Sequence, residues 1–410
     1  MLKILIVSGE PSGDFLGLSL IRGLKKLIQE QTSKQISFQG IGGPLMESEG
    51  FVSLIEQSRI SKMGIIDILL NISDLLSDLN KITNYCIAWN PDLIITIDSP
   101  EFSFRLNKKV RKSLSSTPII HYVMPTVWAW RPRRLQRISN FVDHILALFP
   151  FEPNLAREKH ISCDFVGHPI VSKKTPASQD IAMLRKTLGV KMDAPLMAVL
   201  PGSRISEVKY NLPIFLETIK LVAATYTDLI FVIPAVNGME TIINNQVSVF
   251  QKSTGLPVLT FNQKSMFNAS EFERMKFSLF RTAAIALATS GTVVLELARM
   301  GVPMVVGYRS HYFNELLIKL LVLTERANLI DIIAGTTGIP EFLFGDCKPQ
   351  KLFEAIKEIL NDPTVSARQL ELSRKVIKDL GFGNISPGDR AAASVLSYLQ
   401  NHDKELPFFQ

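Results

Sequence analysis

The sequence predicts an α/β protein made of two doubly wound parallel-sheet domains. Three observations predict it. A buried-type strand at residues 3–8 runs into a glycine turn and then a helix. The same succession restarts at residues 196–200, where Pro201-Gly202-Ser203-Arg204 leads into another helix. The chain has 410 residues, 46% of them hydrophobic, which is enough for two cores of ordinary size. Ligands of such sheets collect beyond the carboxyl ends of the strands, so the loops after the strands are where chemistry is sought.

The strand at 3–8 is bounded by Gly9-Glu10-Pro11-Ser12-Gly13-Asp14, and a helix follows over 15–29. The turn is not the G-x-G-x-x-G of a dinucleotide site. Ser12, Gly13 and Asp14 are expected to face the crevice, with a helix cap as the alternative role of Asp14. A second strand at 36–41 ends in Gly42-Gly43. Over 63–82, Ile65, Ile68, Leu69, Ile72, Leu75, Leu76, Leu79 and Ile82 recur at helical spacing, opposite Asp67, Asn71, Asp74 and Asp78. Two readings fit this face: it packs on the sheet, or part of it is exposed and meets a membrane or acyl chains.

A strand at 92–96 ends in Ile97-Asp98-Ser99-Pro100. Asp98 is the candidate general base, because one positioned carboxylate can take a proton from an attacking hydroxyl. The alternative is an N-cap for the helix at 101–114. The next strand, 118–123, runs into a loop where Trp128 and Trp130 stand beside Arg131, Arg133 and Arg134. Arginine forks match phosphate, and tryptophans offer flat apolar walls, so Trp128 and Arg131 join the acceptor-side candidates. A strand at 143–147 and the Val166-Gly167-His168-Pro169 segment close the first half, and a polar linker begins at Lys173.

In the second half, Arg204 projects from the strand-to-helix turn at 200–204, with Ser203 beside it, and Ser206 and Glu207 open the helix. A strand at 229–233 and a helix at 278–284 lead to a strand at 285–288, the turn Thr289-Ser290-Gly291-Thr292, a helix at 293–300 and a strand at 304–307. A helix opening at a small-residue turn suits a phosphate. Glu296, one turn further in, can accept hydrogen bonds from ribose hydroxyls; an ordinary αβ turn with an exposed glutamate is the plain alternative. Residues 326–329 and 338–341 are expected to be loops, 349–361 and 365–380 helices, 381–388 a glycine-bearing break, and 391–401 a terminal helix able to cross back onto the first domain. The expected divisions are 1–172, 173–385 and 386–410.

The three cysteines are scattered and the six histidines lack ligand spacing, so no disulfide framework or metal site is expected. The N-terminal apolar run is too short for a signal peptide, and no run approaches the ~20 residues of a membrane span. The formal net charge is +7, yet residues 105–137 alone carry nine Lys or Arg and no acid. Nucleic acid, anionic lipid or a phosphorylated substrate would each account for that. Against nucleic acid, the aromatics sit in one loop and not along a strand platform.

These residues together carry a resemblance. SGEPSGD at 8–14, IDSPEFSFRL at 97–106, VWAWRPRR at 127–134, VGHP at 166–169, LPGSR at 200–204, SGTVVLELA at 290–298, Asn328-Leu329 and Pro340-Glu341 occur in order. The chain resembles the lipid-A-disaccharide synthase family, glycosyltransferases of the GT-B fold whose two domains face a cleft. The resemblance implies transfer of 2,3-diacylglucosamine from its UDP donor to the 6-hydroxyl of 2,3-diacylglucosamine 1-phosphate, giving a β-1,6 disaccharide with inversion and without a metal or other cofactor. It makes Asp98 the base and gives UDP to Ser203, Arg204, Ser290, Gly291, Thr292, Glu296 and Asn328. It sets the apolar face at Ile65, Ile68, Leu69, Ile72, Leu75 and Leu76 against acyl chains or the inner leaflet, with the protein cytoplasmic and peripheral on the inner membrane. No nucleic-acid partner is expected, and a homodimer is compatible with the sequence. Two rival readings are a UDP-N-acetylglucosamine 2-epimerase or other GT-B enzyme, and a non-catalytic nucleotide-binding protein that docks on membranes.

Overall fold

The computed structural model of the protein describes residues 1–31, 35–61, 72–125, 132–263, 269–311, 315 and 326–402. The chain divides into two compact units, Met1–Ser172 with Leu380–Gln410, and Lys173–Asp379.

The first unit is built on β1 (Leu2–Ser8), β2 (Ile36–Ile41), β3 (Val52–Ser53), β4 (Leu93–Ile97), β5 (Ile119–Tyr122), β6 (His144–Ala147) and β7 (Ser162–Phe165). They form one sheet in the order β3-β2-β1-β4-β5-β6-β7, every pair parallel. A parallel sheet is covered on both faces, so its strands are apolar on both sides. Ile4 and Ile6 of β1 enter one core, while Leu5 and Val7 enter the other.

Helix α1 (Pro11–Gln31) starts four residues earlier than the expected 15, because proline suits a first helical turn. Ser12, Gly13 and Asp14 therefore lie inside its first turn. The short α2 (Pro44–Glu47) follows β2. Helix α3 (Ile72–Trp89) runs past the expected end at 82. Leu75, expected on a membrane-facing side, is 4% exposed and packs in the core with Leu79 and Ile82, whereas Leu76 is 42% exposed. Successive residues of a helix point about 100° apart, so adjacent leucines here have different environments. Ile65, Ile68 and Leu69 lie outside the described residues, as does the side chain of Ile72. Helix α4 (Pro100–Val110) packs Phe102, Leu106 and Val110 into the same core.

The second unit has β8 (Leu196–Leu200), β9 (Ile230–Ala235), β10 (Val258–Asn262), β11 (Ala283–Ala288), β12 (Met304–Tyr308) and β13 (Glu341–Leu343). Their order is β10-β9-β8-β11-β12-β13, again all parallel. Helix α5 (Ile205–Thr225) follows β8, and α6 (Ala269–Thr282) precedes β11. The expected helix at 278–284 was thus too short at its start and too long at its end. Phe272, Met275 and Leu279 are buried at helical spacing, while Ala283 and Ala284 already belong to the strand. Helix α7 (Val293–Met300) matches expectation and ends at Gly301, whose φ of 73° is the left-handed C-terminal turn. Helix α8 (Leu329–Ala334) and edge strand β13 begin at Leu329 and Glu341, the last residues of the two expected loops.

Helix α9 (Pro387–His402) belongs to the first unit. Ala391, Ala392, Val395, Leu396 and Leu399 complete the core above α1. The two helices touch closely at glycines: a Cβ at Gly23 would lie 2.8 Å from Gly388 O and 2.9 Å from Ala392 Cβ. His144 Nε2 meets Ser394 Oγ at 2.9 Å, and that hydroxyl donates to Asp164 Oδ2 at 2.6 Å. Arg390 Nη2 donates to Phe165 O at 2.7 Å while its guanidinium lies over the Phe165 ring. No described helix is long and apolar enough to cross a membrane.

Each sheet reverses its winding once. The reversal falls between β1 and β4 in the first and between β8 and β11 in the second. A crevice opens at such a point beyond the strand ends, because the two loops leave in opposite directions.

Candidate active site

The second switch point holds a cavity of about 340 Å³. The turn after β8 supplies Ser203 and Arg204, and the turn after β11 supplies Ser290, Gly291 and Thr292. Glu296 of α7, Glu207 of α5, and Lys276 and Phe280 of α6 complete the polar and aromatic wall. The strand order therefore brings together six of the seven residues expected to hold UDP, although they are nearly a hundred positions apart in sequence.

The two helix N-termini in this cavity differ. At α5, Glu207 Oε2 accepts from Ser203 N at 2.9 Å and Arg204 N at 3.3 Å, so a carboxylate of the chain already satisfies those donors. Arg204 leans on Glu207 Oε1 at 3.4 Å, and its side chain is 80% exposed. At α7, Thr292 is the N-cap and no side chain caps the helix. Val294 N and Leu295 N donate back to Gly291 O and Thr292 O at 3.2 and 3.0 Å, so what that end offers a phosphate is the positive pole of the helix without a carboxylate on it. Gly291, at φ 155° with open space around its Cα, lets a ligand approach the backbone. Lys276 Nζ lies 3.0 and 2.9 Å from the two Glu296 carboxylate oxygens.

The turn is braced from outside the cavity. Ser290 Oγ donates to Ala327 O at 2.8 Å, and Ala327 N donates to Glu341 Oε2 at 3.0 Å. Burial pushes the Glu341 carboxyl above its ordinary range. Asn328 does not line the cavity. It is fully buried, its Oδ1 accepts from Asp331 N at 2.9 Å, and its Nδ2 donates to Asp331 Oδ2 at 3.1 Å. Its side chain caps α8, next to Ala327, whose carbonyl holds Ser290.

The first switch point is headed by Asp98. Ser99, not Asp98, is the N-cap of α4, which removes the capping alternative. Asp98 and Ser99 have φ of 50° and 44°, two successive non-glycine residues in the left-handed region. Each costs roughly 1–2 kcal/mol, which the surroundings must offset. Asp98 N donates to Tyr122 O at 2.9 Å, and Ser103 Oγ donates to Asp98 O at 2.7 Å. Burial raises the Asp98 carboxyl above its ordinary value, against a lowering bond from the Ser99 backbone. A carboxylate so desolvated is a stronger base than one in water.

The loop after β1 lies against this turn. A Cβ at Gly9 would come within 2.5 Å of Ser99 Oγ, so only glycine fits. Gln57, which sequence reasoning missed, braces the loop by donating to Ser8 Oγ at 3.0 Å and Glu10 O at 3.0 Å. Asp14, expected to face the crevice, is 3% exposed. Its oxygens accept from the backbone N–H of Gly43, Leu45 and Met46, each at 3.0 Å. A buried carboxylate requires such donors, and the start of α2 supplies them. Gly13 is buried and Ser12 exposed on the first turn of α1. Trp128 and Arg131 lie outside the described residues. Of the basic segment, Arg105, Lys108, Lys109, Lys112 and Arg137 are exposed, while Arg111 pairs with Asp143.

Two doubly wound parallel-sheet units, the second with a phosphate-ready turn at its switch point, define an enzyme of the GT-B fold. The chain matches the family described as Lipid-A-disaccharide synthetase over residues 4–395. It is 36% identical over 398 residues to the lipid-A-disaccharide synthase of Rhodospirillum centenum, covering 97% of this chain and 95% of that one. With the synthase of Rickettsia prowazekii the identity is 34% over 395 residues, 96% of this chain and 98% of the other. The chain belongs to the lipid-A-disaccharide synthase family, and it is a glycosyltransferase of lipid A biosynthesis. Among solved structures, the S. aureus MnaA–UDP co-structure matches with a TM-score of 0.63 at 16% identity, covering 99% of each chain. The Neisseria meningitidis UDP-GlcNAc 2-epimerase bound to UDP-GlcNAc matches with 0.60 at 12%, covering 98% of this chain and 100% of that one. At those identities the likeness is one of fold.

Proposed function

We propose that this enzyme condenses UDP-2,3-diacylglucosamine with 2,3-diacylglucosamine 1-phosphate. Asp98 takes the proton of the acceptor's 6-hydroxyl as its oxygen attacks the donor's anomeric carbon. The bond from that carbon to the diphosphate breaks, UDP leaves, and a single displacement inverts the centre to give the β-1,6 disaccharide. The uncapped N-terminus of α7 and the exposed Arg204 side chain, released from its 3.4 Å contact with Glu207, answer the charge developing on the leaving diphosphate, a preorganised role that needs no bound metal. Glu296 accepts from the ribose hydroxyls. Ser12 and Gly13, on the first turn of α1, and Trp128 and Arg131 face the acceptor. The exposed basic residues of 105–137 and the apolar residues Ile65, Ile68, Leu69, Ile72 and Leu76 hold the protein on the cytoplasmic face of the inner membrane.

The observation that carries this reading is the gathering of Ser203, Arg204, Ser290, Gly291, Thr292 and Glu296 around one cavity, in a chain of this family. Mass spectrometry of the products from purified protein and both lipid substrates tests it. The expected product is the disaccharide 1-phosphate in equal amount to UDP. Free UDP without disaccharide would favour epimerase-type chemistry instead.

A further inference from the structure

We propose that Lys276 is a positioning residue that sets the sugar specificity of the nucleotide site, holding Glu296 so that its carboxylate reads both hydroxyls of a ribose. The inference rests on the reading of the cavity at the second switch point as the UDP site. Lys276 stands on α6 and Glu296 on α7, so the pair joins two helices across the cavity wall. The side chains are 17% and 18% exposed, and Nζ sits 3.0 and 2.9 Å from the two carboxylate oxygens. The lysine is itself held. Its Nζ lies 5.2 Å from the centroid of Phe277 and 5.8 Å from that of fully buried Phe280.

Each carboxylate oxygen has two acceptor positions. With Nζ facing both oxygens, one acceptor position on each remains for the cavity. Two adjacent acceptors match two adjacent donors, which are the 2′- and 3′-hydroxyls of a ribonucleotide. A 2′-deoxynucleotide leaves one of them unmatched. Two of the three ammonium N–H groups are committed to Glu296, so Lys276 acts on the nucleotide chiefly through that carboxylate.

Calorimetric binding of UDP and 2′-deoxy-UDP to the full chain tests this. The wild type should prefer UDP by about tenfold, the equivalent of ~1.4 kcal/mol for one matched hydroxyl. Lys276→Met should lose about that factor for UDP and little for 2′-deoxy-UDP, so the preference disappears. In the transfer assay it should raise KM for the donor with kcat retained. Glu296→Gln should lose the preference too, and adding Lys276→Met to it should change nothing further. Lys276→Gln carries the same expectation if the methionine variant does not fold. Equal loss of both ligands would make Lys276 a diphosphate counter-ion and overturn the proposal, as would a lowered Tm with the preference intact. A wild type that binds UDP without preferring it overturns this inference alone. A wild type that binds no UDP overturns the reading of the cavity as well.

Discussion

At the scale of single residues, Asp98 is strained and desolvated, and both properties follow from where β4 ends. The left-handed backbone at 98–99 turns the carboxylate out of the sheet, and burial raises its proton affinity. Because the folded pKa is raised, ionising Asp98 costs stability, and that cost is fully present above the folded pKa. Asp98→Asn should therefore raise Tm at alkaline pH, with the gain over wild type closing as pH falls through the ordinary carboxylate value. The acid limb of kcat/KM should lie above that ordinary value for the same reason. His168 shows the opposite sign. It is buried against Phe149, its Nδ1 accepts from Ile170 N at 3.1 Å, and burial lowers its pKa from 6.5 to about 4. The unfolded chain protonates first, so this contribution is whole above 6.5 and is lost as pH falls toward 4. It amounts to roughly 3 kcal/mol at most. His168→Phe does not titrate in that window, so its Tm relative to that of wild type should rise as pH falls from 6.5 toward 4. Asp98 stood out in sequence as a carboxylate just past a strand. The backbone strain that aims it did not, because nothing in Ile97-Asp98-Ser99-Pro100 announces positive φ.

At the scale of elements, neighbouring leucines on α3 separate core from surface. Leu75→Ala removes a 4%-exposed side chain from the packed face and should cost about 2–5 kcal/mol. Leu76→Ser, at a 42%-exposed position, should leave Tm within the error of the melt. If Leu69→Glu with Leu76→Ser releases the protein from anionic vesicles and leaves the melt unchanged, the apolar face is a docking surface. Unfolding would make it core. Helix α9 is held to α1 at a glycine contact, so Gly23→Ala should destabilise by about 1–3 kcal/mol through forced separation of the helices. Urea melts measure both. Periodicity showed α7 residue for residue, since its caps and turns are local. Helix α6 was half-missed because three phenylalanines and a lysine over 272–280 blur the stripe. That error hid Lys276, which the spacing of Phe272, Met275 and Leu279 would have placed on a helix.

At the scale of the molecule, alternation of strand and helix predicted two parallel sheets, and the sheets are there. The strand order was not legible, because no residue records which neighbour a parallel strand chooses. Yet the order is what makes the site. It sets the turn after β8 beside the turn after β11, and the loop after β1 beside Asp98. The internal bonds of Asp14 and Asn328 were not legible for a related reason: a sequence shows a polar side chain but not the backbone donors waiting for it. The division of labour between the units, base in the first and nucleotide in the second, is the central claim. Its most direct test is to measure UDP affinity and disaccharide formation side by side in Asp98→Asn. The expected result is transfer reduced at least a hundredfold, the lower end of what a positioned base contributes at roughly 10²–10⁴, with UDP affinity unchanged. Transfer at the wild-type rate, or loss of UDP binding in a folded variant, would contradict it.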